Sequence, residues 1–477
     1  MSELYLKKFS ALIFAVAVIV PLFAVTSCKK ESKRDKYEIV VEYDNGVIEG
    51  KSLYTFTNDS DNSFKEIKFN LYANAYRSAA KYSPVEEKKK TETFKGGYGG
   101  IEILYTKADD KDVDFKVCGE DENVLSVSTE EIFPGESVTI ETGFKTTLPK
   151  ANLRLGETAK TINLADFFPV ACKIENGAFV ECVYSPYGDP YYADACDYSV
   201  VLTVPSEYIA ASSGYPEKTL ADGEKTSYYY SLCGGRDFAF VLSKEFKVSA
   251  KRVGDVTLTC YTFEEDEKTA DVAADALAYF SKLYGEYPYK TMSVAVTPFI
   301  NGGMEYSGLC YIADGLSGEA FEYALIHEIA HEWWHCGVGN DQICAAYIDE
   351  GLAEVSVYLY LNDNGREAEA KDMLDNAKAG YKAFYDIFKT LNGTADTRMN
   401  RSLSEYSSLS EYVAIAYDKS LLMFAEYINT IGRSRADKLL KKLYRENLYG
   451  DVTLTEMTKT LGLKEHFMSY VDGKVLI

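Results

Sequence analysis

The sequence predicts an all-β domain followed by a mixed strand-then-helix domain that ends mainly helical. Between residues 37 and 247, alternating or β-branched runs recur and are separated by Gly, Asn, Asp and Pro, which is typical of strands and turns. After residue 255 the apolar residues follow helical spacing, and the uninterrupted segments become longer. We therefore predict a sandwich- or saddle-shaped β-domain over 37–247 and a second, α/β domain over 248–477.

The composition indicates folded domains and narrows the class of partner. The chain has 477 residues, of which 47% are hydrophobic and 26% are charged, so it can bury sizeable hydrophobic cores. Its formal net charge is −22, and no block of Lys and Arg offsets this charge. We therefore expect no nucleic-acid partner, and the acidity is typical of a well-solvated surface.

The N-terminal segment has the features of a targeting signal. Lys7 and Lys8 precede an apolar run over 9–25, which small residues and a cysteine follow. A charged start, an apolar centre and small residues at the end are typical of a secretory signal peptide. The alternative is an uncleaved anchor helix, because the run is nearly long enough to span a bilayer. Pro21 and the cysteine that follows favour cleavage.

The end of this segment predicts how the protein is held at a membrane. The run Val25–Cys28, Val-Thr-Ser-Cys, resembles a bacterial lipobox, in which the cysteine is acylated and becomes the new N-terminus. We therefore expect a signal peptide over 1–27, a lipid on Cys28 and a flexible tether over 28–36. The remaining chain is then expected outside the cytoplasm, anchored to a bacterial cell membrane by its lipid.

The other cysteines do not indicate a disulfide framework. The chain has ten cysteines in all, and those after Cys28 lack regular spacing, so most are expected to be small buried side chains. Cys172 and Cys182 flank a predicted turn at 175–177 and could pair.

The β-domain is predicted from its individual runs. Residues 37–43, 137–142 and 198–204 have the alternation or β-branching of strands. Residues 81–95 are rich in Lys and Glu and are expected to form an exposed loop between strands.

The second domain is predicted to begin with a helix over 264–284 and a strand over 292–299. Ala273, Leu277 and Phe280 recur at helical spacing in the first of these segments. Beyond residue 318 we predict a series of helices that Asn-Gly and Asp-Asn-Gly stops separate. These helices are expected over 318–336, 350–362, 366–391, 410–430 and 433–447.

The motif His327-Glu328-Ile329-Ala330-His331 has the spacing of a metal site. Residues four apart lie one turn apart on the same helix face, so both imidazoles can reach one ion. Glu328 lies beside them, where its carboxylate can take a proton from the attacking water. Zinc suits these ligands, and its catalytic sites have a third protein ligand. Glu350 can supply this third ligand. Eighteen residues separate it from His331, which is enough for a loop and the start of another helix.

The alternative interpretation is a polar helix face without a metal. Against it, three of the four histidines of the chain lie within nine residues, at 327, 331 and 335. His335 continues the four-residue spacing and competes with Glu350 as a ligand. We assign His335 a structural role, and Cys336 a role in packing.

Three motifs together resemble the aminopeptidase N family of gluzincin zinc metallopeptidases, here in a bacterial lipoprotein form. They are the run Gly302–Tyr306, the run His327–His335 and the run Tyr347–Glu354. The family combines a GxMEN motif with HExxH, an eighteen-residue spacer and a zinc-binding Glu. The resemblance implies an N-terminal β-domain and a thermolysin-like, mainly helical catalytic domain.

Weaker similarities extend the resemblance over most of the mature chain. Residues 416–420 are similar to the tyrosine motif of the family, and Phe168-Pro169 and residues 188–192 are similar to its β-domain. Three features differ from the family pattern: Tyr306 replaces the Asn of GxMEN, Ser420 replaces a Gly, and only sixty residues follow Tyr417. The short C-terminal part implies a more open site than in many relatives.

The resemblance implies roles for individual residues. Glu305 matches the residue that binds the free α-amine of a peptide, and Tyr417 matches the tyrosine that stabilises the oxyanion, with nearby Tyr412 as the other candidate. Gly302 and Gly303 would let an edge strand approach the substrate backbone closely. The remaining matches are His327, His331 and Glu350 as ligands of one Zn²⁺ and Glu328 as general base.

These roles imply a zinc-dependent aminopeptidase that removes N-terminal residues from peptides outside the cell. An endopeptidase or an epoxide hydrolase on the same scaffold is the first alternative. A non-enzymatic, peptide-binding surface lipoprotein is the second, and the complete ligand set with Glu328 argues against it.

Overall fold

A computed structural model describes residues 33–476, and they form a multi-sheet β-domain followed by a mainly helical domain. This arrangement confirms the predicted fold class. The predicted signal peptide over 1–27, the lipid site Cys28 and most of the tether lie outside the described residues.

Eighteen strands make up the part of the β-domain that the structure describes. They are β1 (Lys36–Asp44), β2 (Val47–Thr57), β3 (Phe64–Asn70), β4 (Gly100–Ala108), β5 (Lys111–Asp112), β6 (Phe115–Cys118), β7 (Val124–Ile132), β8 (Ser137–Thr147), β9 (Leu155–Glu157), β10 (Ile162–Leu164), β11 (Val170–Ala171), β12 (Ile174–Glu175), β13 (Ala178–Phe179), β14 (Cys196–Pro205), β15 (Ile209–Ser212), β16 (Tyr215–Asp222), β17 (Lys225–Gly235) and β18 (Phe240–Ser243).

The strands of the β-domain form one large sheet and three small ones. The large sheet has the order β16-β17-β14-β1-β2-β8-β4-β5, with β1 parallel to β14 and antiparallel to β2. The smaller sheets are β15-β18-β10-β9, β11-β3-β7-β6 and the hairpin β12-β13. Asn45 and Gly46 connect β1 to β2 with positive φ angles of 46° and 81°, as a tight hairpin turn requires.

The segment predicted as an exposed loop is partly helical. A short helix, α1 (Glu87–Thr93), lies within 81–95, and Lys90 is buried where its ammonium donates to the carbonyl of Ala80. A Lys side chain can bury its aliphatic part while its ammonium group is hydrogen-bonded. The high charge of the segment therefore predicted exposure at a position that is buried. Cys172 and Cys182 are free thiols, so the pairing considered from their spacing is wrong.

The second domain contains one five-stranded sheet and ten α-helices among the described residues. The sheet has the order β19-β20-β21-β23-β22, which places β22 at its edge. Its strands are β19 (Lys247–Val253), β20 (Val256–Thr262), β21 (Thr291–Thr297), β22 (Gly303–Tyr306) and β23 (Leu309–Ala313). The helices are α2 (Glu267–Tyr284), α3 (Gly318–His331), α4 (Gln342–Ala345), α5 (Asp349–Asp363), α6 (Glu367–Asn392), α7 (Leu409–Tyr412), α8 (Lys419–Ile431), α9 (Arg433–Asn447), α10 (Leu454–Leu461) and α11 (Lys464–Val471).

Two helices differ from their predicted extents. The helix predicted over 318–336 ends at His331, because the backbone then turns and His335 adopts a φ of 156°. The helix predicted over 410–430 is divided into α7, a π-helical turn (Val413–Asp418) and α8. The apolar spacing is continuous through both regions, so it gave no signal of either interruption.

The two domains share a continuous core. The largest cluster of buried apolar side chains extends from Tyr37 in β1 to Val471 in α11. A second cluster lies where the domains meet and joins Ala165 and Val241 to Met304 and Tyr311. This packing fixes β22 against the β-domain. Among residues 33–476, every helix is too short or too polar to cross a membrane.

Candidate active site

Helices α3 and α5 pack against each other and bring three buried side chains to one point. His327 and His331 lie one turn apart near the end of α3, and Glu350 lies in the first turn of α5. The two Nε2 atoms are 3.0 Å apart, and Glu350 Oε2 lies 3.3 Å from Nε2 of His327 and 3.4 Å from that of His331. The spacing on α3 and the loop to α5 thus place all three residues as the sequence predicts.

This geometry fits a zinc ion. Bonds of about 2.1 Å in a tetrahedral site separate the ligand atoms by about 3.4 Å, close to the distances between these three atoms. Glu350 Oε2 is also buried without a hydrogen-bond partner among the described residues, as is expected of an atom with a free lone pair for a metal. His327, His331 and Glu350 can therefore hold Zn²⁺.

Neighbouring groups orient both imidazoles. His331 Nδ1 lies 3.0 Å from the carbonyl oxygen of Trp334, which favours a proton on Nδ1 and a free lone pair on Nε2. His327 Nδ1 lies 3.0 Å from Glu354 Oε1, and Glu354 also accepts a hydrogen bond from Tyr323. Glu354 lies four residues after Glu350 on α5. The sequence contains it in the run Tyr347–Glu354, but its role became visible only in the structure.

Glu328 lies directly against β22. A Cβ atom at Gly303 would lie 2.4 Å from Glu328 Oε1, so a side chain at this position would displace the carboxylate. Burial raises the pKa of Glu328 to about 8, although the charge of His327 opposes the rise. A carboxylate with a pKa near neutrality is suited to accept a proton and later return it.

The π-helical turn presents Tyr417 to the metal ligands. Its hydroxyl donates to Glu350 Oε1 at 2.5 Å, and its ring stacks on His327 at a centroid distance of 5.8 Å. Burial raises the pKa of Tyr417 well above 10, so the hydroxyl stays protonated and acts as a donor. Ser420 Oγ donates to the carbonyl of Tyr417 at 2.9 Å, which gives this departure from the family pattern a role in stabilising the turn.

Tyr412 lines the same pocket at a different point. Its hydroxyl is buried without a hydrogen-bond partner among residues 33–476, and Gly188 of the β-domain leaves room for it. Its ring contacts Tyr417 edge-on at 5.8 Å. The structure thus places Tyr417 on the metal ligands and Tyr412 beside the β-domain.

Glu305 lies on β22, close to the base. Carboxylate or imidazole atoms of Glu305, Glu328 and His331 all lie within 4.8 Å of one another. Glu305 is 4% exposed, and its Oε1 accepts a hydrogen bond from Gln342 Nε2 at 3.0 Å. Tyr306 follows on the opposite strand face, where its ring packs on Tyr311 at 4.9 Å. The residue that departs from GxMEN therefore points away from Glu305.

The two predicted glycines have different surroundings. Gly303 is held against Glu328, as described above, whereas a Cβ atom at Gly302 would meet no atom within 4 Å. Both line the pocket. Packing within the protein requires the absence of a side chain at Gly303 and does not require it at Gly302.

His335 is separated from the two histidines of α3. Its side chain is buried, with Nε2 3.9 Å from Asp237 Oδ2, and it lies with Glu305 and Asp349 rather than with His327, His331 and Glu350. The end of α3 at His331 explains this position, because the four-residue spacing no longer corresponds to one helix face.

The β-domain contributes an ion pair that sequence reasoning missed. Asp189 lies in the run 188–192 and accepts from Arg154, whose Nε lies 3.0 Å from Met304 Sδ on β22. Burial raises the pKa of Asp189 to about 7, although Arg154 opposes the rise. Neither residue stands in a spacing that would indicate the contact.

The three metal ligands, Glu328, Glu305 and the two tyrosines, together with Arg154 and Asp189, line one pocket of about 390 Å³. Its walls come from both domains and from the π-helical turn. A pocket with a metal-ligand set, a base of raised pKa and a separate carboxylate can bind a peptide and hydrolyse it.

Comparisons with known proteins agree with this chemistry. A model of the peptidase family M1 domain matches residues 268–472. The crystal structure of an M1 zinc metallopeptidase from Deinococcus radiodurans is similar, with a TM-score of 0.66 and 15% identity over 94% of this chain and 96% of that chain. No curated protein sequence matches significantly.

Two further structures have bound ligands. A variant M1 zinc metallopeptidase from Deinococcus radiodurans, bound to a Tyr-Ser-Ala substrate, has a TM-score of 0.64 and 15% identity over 93% of this chain and 95% of that chain. A two-domain M1 zinc metallopeptidase variant bound to L-arginine has a TM-score of 0.64 and 15% identity over 94% of this chain and 96% of that chain. At this identity the likeness shows the two-domain fold.

The family match covers the helices that hold His327, His331 and Glu350, and it confirms the resemblance seen in the motifs. Residues 268–472 therefore match the domain of peptidase family M1, and this match together with the metal-ligand set indicates a zinc-dependent metallopeptidase.

Proposed function

We propose that this peptidase is an aminopeptidase that removes N-terminal residues from peptides. One observation carries the proposal: Glu305, a buried carboxylate on the edge strand β22, shares a pocket with the metal ligands and with Glu328. A carboxylate is the appropriate partner for the α-ammonium group that only a free N-terminus provides. The similar structures with a bound tripeptide and a bound amino acid support ligands of this class.

The residues divide the reaction among them. His327, His331 and Glu350 would hold Zn²⁺, which when bound would supply Lewis acidity for a scissile carbonyl. Glu305 binds the α-ammonium group and so sets how far the chain enters the pocket. Glu328 takes a proton from the attacking water and passes it to the leaving amine.

The negative charge that develops on the carbonyl oxygen during attack requires a hydrogen-bond donor. Tyr417 is suited to this role, because its hydroxyl lies against the ligand set and stays protonated. Tyr412 is the alternative donor.

The proposal is tested by comparing peptides with a free and an N-acetylated terminus, on the wild type and on Glu305→Gln. The charged hydrogen bond to the amine contributes about 1.5–3 kcal/mol, so Glu305→Gln should lower kcat/KM for free-amine peptides by roughly ten- to two-hundred-fold. Acetylated peptides should be poor substrates of both proteins.

Glu332→Gln is the matched control. Glu332 is also buried, but its carboxylate accepts from Gly308 N and Tyr287 outside the pocket. Equal cleavage of acetylated and free peptides by the wild type would contradict the aminopeptidase proposal and favour the endopeptidase. That result would not contradict zinc-dependent hydrolysis of peptides.

We also propose that the enzyme acts outside the cytoplasm, held by a lipid on Cys28. The lipobox-like run Val25–Cys28 behind an apolar segment supports this. Mass spectrometry of the mature protein should find an acylated N-terminal cysteine. An intact Met1 would contradict the lipid anchor and indicate the uncleaved helix.

A further inference from the structure

Gln342 joins two buried carboxylates beside the pocket. It is the first residue of α4, whose N-terminus Asp341 caps by accepting from the amides of Ile343 and Cys344. Its Nε2 donates to Glu305 Oε1 at 3.0 Å and to Asp349 Oδ2 at 2.8 Å. One amide group thus uses both of its hydrogens on carboxylates.

Asp349 fixes the amide from the other side. Its Oδ1 accepts from Asn340 Nδ2 at 2.9 Å, so each of its two oxygens is bound to a different amide. Asp349 is also the first residue of α5, directly before the metal ligand Glu350. The helix that holds the metal ligand therefore also holds, through Gln342, the carboxylate of Glu305.

We propose that Gln342 is a positioning residue for substrate recognition: it orients Glu305 toward the α-amine of the peptide, and Asp349 holds it in place. This inference rests on the aminopeptidase function proposed above. Glu305 is at the pocket wall, and a carboxylate on a strand edge has freedom of rotation unless one oxygen is held. With Oε1 bound to Gln342, the carboxylate keeps one orientation before the substrate arrives.

A second cation at this point is the competing interpretation. Glu305, His335 and Asp349 lie close enough to hold one. The amide of Gln342, however, already donates one hydrogen bond to each of the two carboxylates. A hydrogen-bonded network without a metal is therefore the arrangement that the contacts support.

The test is Gln342→Met, which keeps the length of the side chain and removes its donor. We expect KM for free-amine peptides to rise about 5- to 20-fold, with kcat changed less than threefold and zinc content unchanged. Asn58→Leu, which removes a buried amide of the β-domain, is the control for a general loss of stability and should leave KM unchanged. If Gln342→Met does not fold, Gln342→Asn withdraws the amide from Glu305 while keeping a polar side chain.

A double variant separates positioning from a structural role. In a Glu305→Gln background, Gln342→Met should change KM less than twofold, because its effect acts through Glu305. Additive effects, or an equal fall in kcat for all substrates, would overturn the inference. So would a second metal ion per chain that His335→Ala removes.

The two proposals fail in different ways. If the wild type has no preference for free amines, the aminopeptidase function is wrong. If that preference exists and Glu305→Gln abolishes it, but Gln342→Met keeps the KM of the wild type, only the role of Gln342 is wrong.

Discussion

At one end of the pocket, which we term the metal end, His327, His331, Glu328 and Glu350 come from two helices and lie within 24 residues of one another. At the other, the amine end, Glu305 lies on a strand edge and depends on Gln342 and on contacts with the β-domain. The metal end is set by local spacing, because a helix fixes residues four apart. The amine end is set by packing between segments that are distant in sequence. Under the proposed function, the chemistry and the specificity therefore depend on different parts of the chain.

The largest effect should follow from changing the base at the metal end. Glu328→Gln keeps the shape of the side chain but cannot accept the proton, so turnover should fall by roughly two to four orders of magnitude. Zinc content should stay at that of the wild type, because Glu328 is not among the three ligands. Steady-state kinetics with metal analysis measures both, and loss of zinc in this variant would contradict the separation of base from ligands.

Breaking the buried ion pair beside the amine end should lower the free energy of unfolding. Arg154→Met leaves Asp189 buried without its partner, which should lower the free energy of unfolding by about 3–5 kcal/mol. Urea unfolding measures this loss. The double variant Arg154→Met with Asp189→Leu should recover much of it, since no buried charge then remains unpaired. A single variant as stable as the wild type would show that the β-domain does not support the amine end through this pair.

Replacing the tyrosines should distinguish their roles. Tyr417→Phe removes a donor at the metal end, so kcat should fall by about 10²–10³-fold while KM changes little. Tyr412→Phe is the matched control and should lower kcat less than tenfold. The reverse order of the two effects would assign oxyanion stabilisation to Tyr412.

The smallest effect concerns the anchor of the turn that carries Tyr417. Lys419 is buried and donates to the carbonyls of Thr397 and Tyr470, and burial lowers its pKa from 10.5 to about 7. Between these two values the unfolded chain binds more protons than the folded one, so the free energy of unfolding should rise with pH above 7, by about 1 kcal/mol per unit.

Urea unfolding at several pH values from 7 to 9 measures this dependence. The free energy of unfolding of Lys419→Met should lack the increase that Lys419 contributes. Identical slopes in both proteins would mean that Lys419 stays charged when folded. The π-helical turn that carries Tyr417 would then be held by a charged ammonium group of Lys419 rather than by a neutral amine.

The comparison of the two ends also explains what the sequence could predict. The ligands at 327, 331 and 350 follow from spacing, and so does the division into a β-domain and a helical domain. Gln342 gave no signal, because a single amide at the start of a four-residue helix has no periodicity to indicate its partner. The same holds for Asp189. Its run, residues 188–192, was recognised in the sequence, but nothing there indicated its ion pair with Arg154. The end of α3 and the π-helical turn were missed because apolar residues continue through both.

The order of strands in the large sheet has a consequence for folding. Its central strand, β1, is the first strand of the chain, and its parallel neighbour β14 lies roughly 160 residues later, where Lys36 pairs with Asp197. At a synthesis rate of about 5–20 residues per second, β1 precedes β14 by roughly 10–30 s. Until then β1 has a partner in β2 alone, and one edge of the hairpin is open to other chains. The first strand of the sheet is thus the one that waits longest for its second partner, and non-local pairing of this kind is intrinsically slow.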